Sequence, residues 1–305
     1  MSSPTRRLVG IDVGGTNIAA GAVLSTGEIV GRATTPFDNA LGAEGLCDAM
    51  AGLARELEVE DALGIGVAGL IDHAGGRVEA SPNLHAIEQI PLCAMLAERL
   101  GLARENVLLE NDANVAALGE AWLGAGRDES HSMTVTLGTG IGGGIVLDGK
   151  LYSGPGGMAG EIGHVTVDPN GPLCGCGARG CDETLASGRN AQRRAREAGL
   201  PKESPGDIVR VTQMAREGDA DSERLLRDIG RDLGRGLATA VSLLDIRCYV
   251  IGGGFGAALD CLEPGIREGL DERAFGERLK SIRLLPAELG SDAGWIGAAR
   301  LGDQA

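Results

Sequence analysis

Two segments of this chain are written to the same plan, and few folds admit such a pair. The first, RLVGIDVGGTNIAAGAVLSTGEIVGRATTP, reads as a strand to Val13, a glycine turn, a second strand to Leu24, a turn at Ser25-Thr26-Gly27 and a third strand through Thr34. Much later, HSMTVTLGTGIGGGIVLDGKLYSG gives a strand from Met133 to Leu137, a glycine turn, a strand from Gly144 to Leu147, an Asp148-Gly149 hairpin turn and a short strand. After each meander, helical patterns alternate with short apolar strands. EGLCDAMAGLAREL sets Leu46, Met50, Leu53 and Leu57 on one helical face, LGIGVAGLID is a buried strand ending in a turn, and NVLLENDANVAALGEAWLG passes from strand to helix. The second half supplies a long helix in DSERLLRDIGRDLGRGLATAVSLLD, a strand with a glycine exit in CYVIGGGF and a closing helix in GWIGAARLG. The expectation is an internally duplicated α/β protein, with one domain over 1–120, a second over 121–290, and the closing helix 291–302 returning to the first.

The glycine turns carry the first chemistry. Asp12-Val13-Gly14-Gly15-Thr16-Asn17 and Gly138-Thr139-Gly140-Ile141-Gly142-Gly143-Gly144 each join two strands. Without Cβ atoms, such turns let backbone N–H groups and a hydroxyl close around phosphate oxygens, and an acidic residue at the strand end can hold magnesium. A plain tight hairpin is the competing reading for either turn alone; the pairing within a repeat favours phosphate. Gly138, Gly140 and Gly143 match the dinucleotide fingerprint, but a strand and not a helix follows, which excludes that class. No Lys-Ser or Lys-Thr follows either turn, which excludes the P-loop class.

The second concentration of chemistry is GEIGHVTVDPNGPLCGCGARGCDE, which holds three of the seven cysteines. His164, Cys174, Cys176 and Cys181 offer one imidazole and three thiolates, a set suited to tetrahedral zinc, with Gly175 supplying a sharp turn. Free thiols are the rival reading. An odd cysteine count and the absence of an apolar leader argue against a disulfide framework and for a cytoplasmic protein. Cys47, Cys93, Cys248 and Cys261 stand singly among apolar residues and read as small core hydrophobes. His73, His85 and His131 have no partner cluster in the sequence, so surface or structural roles are expected of them.

At the end of NVLLENDANV, Asn111 or Asp112 stands where a helix begins, and the plain reading of an acidic residue there is an N-cap. The motifs GIDVGGTNIAAGAV, ENDANVAALGE, TLGTGIGGGIVLDG, GEIGH and CGCGARGCDETLASG, in that order from about Val9 to Gly297, resemble those of the ROK family. That family comprises bacterial sugar kinases with the actin-like ATPase (ribonuclease H-like) fold, together with related repressors. The resemblance implies two α/β domains with an interdomain cleft that takes ATP, Mg2+ and a hexose. It implies that Asp112 is the general base, that Asn111 binds the sugar, and that Glu161, His164 and Glu183 contact sugar hydroxyls, with Gly69 and Asn83 as further contacts. Asp12 would orient magnesium and its waters. Gly14, Gly15, Thr16, Asn17, Thr139 and Gly140 would hold phosphates, and Gly252, Gly253 and Gly254 would approach the nucleoside. His164, Cys174, Cys176 and Cys181 would bind a structural zinc that shapes the loop carrying Glu161 and Glu183. Two positions depart from the family: Asp182 stands where a bulky apolar or aromatic residue is usual, adding a negative charge beside the sugar site, and Ala68 replaces a common proline.

The expected reaction is ATP-dependent phosphorylation of a hexose at the 6-hydroxyl, with glucose first and fructose, mannose or an N-acetylated amino sugar as alternatives. A sugar-responsive repressor would need a DNA-binding motif before the first strand, and that strand begins at Leu8. With 28 Lys and Arg against 43 Asp and Glu, the net charge of −15 disfavours nucleic acid and anionic membranes as partners. A homo-oligomer, dimer or tetramer, is expected. Aromatic residues are only 2% of the chain, so the core must be built from close-packed aliphatic side chains.

Overall fold

The computed structural model describes residues 5–81, 84–273 and 281–304. Its contacts divide the chain into two compact units, one of Met1–Ser130, Gly144–Ala159 and Glu288–Ala305, the other of His131–Gly143 and Gly160–Ala287. The first begins with the meander β1 (Arg7–Val13), β2 (Asn17–Leu24) and β3 (Ile29–Pro36), followed by helix α1 (Gly42–Glu56). Then come β4 (Leu63–Val67), β5 (Leu70–Asp72), β6 (Arg77–Ala80), α2 (Leu92–Leu100), β7 (Val107–Asn111) and α3 (Asp112–Trp122). Its sheet runs β3-β2-β1-β4-β7, antiparallel across the meander and parallel from β1 through β4 to β7.

The second repeat is built from β8 (Ser132–Leu137), β9 (Ile141–Leu147) and β10 (Lys150–Leu151). Four helices follow, α4 (Glu183–Ala186), α5 (Gly188–Glu197), α6 (Ile208–Arg216) and α7 (Ala220–Leu244), then β11 (Cys248–Gly252), α8 (Leu259–Arg273), β12 (Arg283–Pro286) and α9 (Ala293–Gln304). The second sheet runs β10-β9-β8-β11-β12, the same third-second-first-fourth-fifth order as the first sheet. The central strands β4 and β11 are buried at all five positions, as parallel strands covered on both faces must be.

Local chemistry accounts for the elements. Leu46, Met50, Leu53 and Leu57 are buried in the core of the first unit, fixing the inner face of α1. The helix α7 starts where the Asp219 side chain accepts the Ser222 N–H, and stops where Asp245 takes a left-handed conformation. LGIGVAGLID is not one strand. Gly69 at φ 142° breaks it, and β5 turns away to pair with β6 in a separate two-stranded sheet. The segment after Gly144 groups with the first unit because Gly144 lies on Ala113 and Ala117 of α3, a finer division than a single cut after residue 120.

The scarcity of aromatics is met by close backbone approach. The helix α9 lies directly on β1 and β4, where a Cβ at Gly10 or Gly64 would overlap the carbonyls of Trp295 and Ala298. Trp295, one of only two tryptophans, is itself buried beneath β2. No described helix is long and apolar enough to cross a membrane.

Candidate active site

Strand β7 ends in the residues with the sharpest chemistry. The Asn111 side chain, not Asp112, caps α3: its Oδ1 accepts the Ala113 and Asn114 N–H groups at 2.9 and 3.2 Å. Its Nδ2 donates to the Gly69 carbonyl at 3.0 Å, and the same side chain hydrogen-bonds the Asp112 carboxylate, so that Asn111 ties the two together. With capping done by its neighbour, Asp112 stands at the first helical position and accepts the Ala113 N–H at 3.0 Å. Burial pushes the Asp112 carboxyl above the ordinary carboxylate range, against the pull of the Ala113 amide. Asp12, at the end of β1, is pushed up to about 7, first by burial and then by the charge of Asp112. Two carboxylates thus share one poorly hydrated region, a charge arrangement suited to a divalent cation at Asp12 and a proton acceptor at Asp112.

The first glycine turn is closed by the Gly14 N–H donating to the Asn17 carbonyl at 3.0 Å, and Gly14, Gly15, Thr16 and Asn17 are all exposed. In the second unit the Gly138 N–H donates to the Gly140 carbonyl at 3.0 Å, and Thr139 is exposed at the tip. A cavity of about 600 Å3 opens beside this turn, lined by Gly138, Thr139 and Gly254 together with Arg189 and Gln192 of α5 and Thr212 of α6. Its size fits a nucleoside. Arg189, Gln192 and Thr212 come from two helices, and nothing in their spacing in the sequence marks them. Gly253 at φ 77° has a packing reason of its own, since a Cβ there would overlap the backbone of Leu137.

The cysteine segment folds into a compact knot. The Cys174 N–H donates to the Ala178 carbonyl at 2.8 Å and the Gly177 N–H to the Cys174 carbonyl at 3.0 Å. The left-handed residue of this turn is Gly177, at φ 93°, and not Gly175. The ligand atoms of His164, Cys174, Cys176 and Cys181 all lie within 4.8 Å of one another, with Cys176 Sγ to Cys181 Sγ and Cys174 Sγ to His164 Nδ1 both at 3.6 Å. Zinc–sulfur bonds of about 2.3 Å in a tetrahedron give edges of about 3.8 Å, so the four atoms fit that ion. Nδ1 of His164 is on the metal side, and its Nε2 lies 3.8 Å from Glu161 Oε2. The four ligands would close the coordination shell, a structural and not a catalytic arrangement.

Glu183 and Asp182 diverge. Glu183 Oε2 accepts the Ile141 N–H at 3.0 Å, so this carboxylate rests on the second glycine turn. Asp182 turns the other way, against Gly236 of α7, fully buried and with no hydrogen-bond partner for its carboxyl oxygens among the described residues. Burial, with Asp232 nearby, holds its carboxyl well above the usual range, and it faces α7 and not the side taken by Glu183, which departs from the expectation of a negative charge beside the sugar site. His73 and His85 also depart from expectation: each has a carboxylate partner, Glu110 at 2.9 Å and Glu88 at 3.0 Å. Cys47, Cys93 and Cys248 are buried and Cys261 half-buried. Asn83 lies outside the described residues. Of the other expected sugar contacts, Gly69, Asn111 and Asp112 are gathered in the first unit, and Glu161, His164 and Glu183 belong to the second.

Two five-stranded sheets of the same strand order, each with a glycine turn between its first two strands in the chain, define the actin-like ATPase fold. The family is more specific: the ROK family's sequence profile matches residues 8–305, and this chain belongs to that family. It is 36% identical to a glucokinase of Thermotoga maritima, over 98% of both chains. It is 34% identical to an N-acetylmannosamine kinase of Escherichia coli, over 95% of this chain and 96% of the other. The crystal structure of a ROK family glucokinase from Streptomyces griseus in complex with glucose and AMPPNP superposes with a TM-score of 0.80, at 35% identity and over 98% of this chain and 100% of that one.

Proposed function

We propose that this protein is a hexokinase of the glucokinase type, transferring the γ-phosphoryl group of ATP to the 6-hydroxyl of glucose. The observation that carries the reading is the Asp112 carboxylate, released from capping by Asn111 and kept above the ordinary carboxylate range by burial. Such a group accepts the proton of the attacking hydroxyl near neutral pH, while the hydroxyl oxygen bonds to the γ-phosphorus and ADP departs. Its place on the first turn of α3 fixes its direction, and positioning is most of what phosphoryl transfer requires. Magnesium, when bound, neutralises phosphate charge; Asp12 is the residue that would hold it through its waters. Gly14, Gly15, Thr16, Asn17, Thr139 and Gly140 offer backbone and hydroxyl donors to the phosphates, and the cavity beside Thr139 and Gly254 takes the nucleoside.

On the sugar side, the Asn111 amide, the Glu161 and Glu183 carboxylates and the outer nitrogen of His164 are groups suited to hydroxyls. A structural zinc at His164, Cys174, Cys176 and Cys181 would hold the last three in place. The likeness to the N-acetylmannosamine kinase favours a second reading, in which the pocket takes an N-acetylated amino sugar. A cytoplasmic location and a homo-oligomer belong to the same proposal. The test is ADP release measured over glucose, mannose, fructose and N-acetylmannosamine, with polyphosphate tried in place of ATP. Glucose giving the highest kcat/KM supports the first reading, and activity confined to the acetylated sugar replaces it with the second.

A further inference from the structure

The buried carboxylate of Glu110 is not among the residues considered so far for the site, yet it stands directly behind them. It lies one position before Asn111 on β7 and is 4% exposed. Its Oε1 accepts the Asn111 backbone N–H at 2.8 Å and the Asn114 side-chain Nδ2–H at 2.9 Å. Its Oε2 meets Nε2 of His73 at 2.9 Å. Three donors from three places, the end of β5, the β7–α3 junction and the first turn of α3, therefore converge on one carboxylate. A buried carboxylate satisfied in this way is rigid, because the loss of any one donor leaves a desolvated oxygen short of a partner.

The other face of the His73 ring is occupied as well. Gly157, at φ 69°, lies against it, so that a Cβ at that position would stand 3.2 Å from His73 Cε1. The hydrogen bond to Glu110 is the chief cause that raises the His73 pKa, with the charges of Glu110 and Asp72 adding to it and outweighing burial. Arg104 and Cys93 line the small cavity on the same side of β7, and Asp72 is engaged by Arg77 and the Gly75 N–H.

We propose that His73 and Glu110 are positioning residues for the phosphoryl acceptor, clamping the β7–α3 junction from behind and thereby fixing the directions of Asn111 and Asp112. The inference rests on the assignment of Asp112 as the base. Neither residue touches substrate in this scheme. Their effect is geometric: the Asn111 N–H that Glu110 holds belongs to the peptide immediately before Asp112, and a displacement of about 1 Å at a reacting group lowers rate by about 100-fold.

The test compares His73→Ala with His73→Gln, whose side-chain amide reaches the place of Nε2 and can still donate to Glu110. The His73 side chain is 40% exposed, so truncation leaves little buried void and the fold is expected to survive. In His73→Ala, kcat should fall by about 10- to 100-fold and the hexose KM rise with the loosened Asn111, with the ATP KM changed less than about threefold, while His73→Gln keeps most of kcat and of hexose affinity. Hydrogen exchange at the amides of Asn111 to Asn114, measured without substrates, should speed up in His73→Ala and not in His73→Gln. Unchanged kcat and exchange in His73→Ala, or a Gln variant as impaired as the Ala variant, overturns the clamp. Should the wild-type protein phosphorylate no hexose, the kinase reading fails, and the exchange comparison still decides whether the clamp exists.

Discussion

Replacing Asp112 with Asn should lower activity and raise stability together, and the structure gives the size of both effects. Asp12 ionises near 3.8 when unfolded and near 7 when folded, so the folded protein holds an extra proton across that window. Stability therefore falls as pH rises from about 4 to about 7, by roughly 4 kcal/mol at pH 8. Burial is the larger cause and the Asp112 charge the second, so the Asp112→Asn change restores less than half of this, under about 2 kcal/mol. For a protein of this size that is at most roughly 5 °C in Tm. The gain should appear at pH 8 in the presence of EDTA, which keeps cations from Asp12, and shrink at pH 5, where Asp12 is protonated in both proteins. The Asn side chain can still accept the Ala113 N–H, so glucose binding measured by calorimetry should persist while kcat falls by about 10²- to 10⁴-fold. Differential scanning fluorimetry and an ADP-coupled assay read the two effects. A variant less stable than wild type at pH 8, or equally stabilised at both pH values, would show that the two carboxylates do not share a buried charge. Near-normal turnover would remove Asp112 from the role of base.

Protein purified without chelator should carry about one zinc per chain by metal analysis, and either its removal or Cys176→Ala should raise the hexose KM before it affects ATP, because Glu161 and Glu183 flank the metal loop. Undiminished sugar affinity in a zinc-free protein would refute that link. Gly140→Val should weaken both substrates, since the new Cβ would overlap the Glu183 carboxylate as well as crowd the phosphate turn; a KM change confined to ATP would mean that Glu183 does not serve the sugar.

What could be read from the sequence was what lies close together in it. The Cys3His cluster falls within one short segment, so its residue types and spacing suffice to bring it out, and the two glycine turns announce themselves through repetition. The Asn111–Asp112 junction was legible as a strand end meeting a helix start, though which residue caps the helix was decided only by side-chain geometry. Pairings across the chain left no trace: His73 and Glu110 are 37 residues apart, and neither is distinctive alone. The cavity beside Thr139 is likewise assembled from α5, α6 and the exit of β11. Asp182 was misjudged for a different reason. Adjacent residues at a helix start point about 100° apart, so that Glu183 can face the glycine turn while its neighbour faces α7.

The seating of α9 on Gly10 and Gly64 has a consequence for how the protein is made. Strands β1 and β4 leave the ribosome well before α9, and one face of their sheet is not covered until residues 293–304 emerge, after the entire second unit. Until then the apolar faces of β1 and β4 stand uncovered on one side, a state open to aggregation or to chaperone capture. The second unit shortens that search. Once β8, β11 and β12 have paired, the strand by which the chain first enters that unit and the strand by which it finally leaves it lie two strands apart, about 10 Å in the sheet direction. The chain that α9 must close is then a folded spacer and not a long random coil, so that late synthesis of the second unit speeds completion of the first.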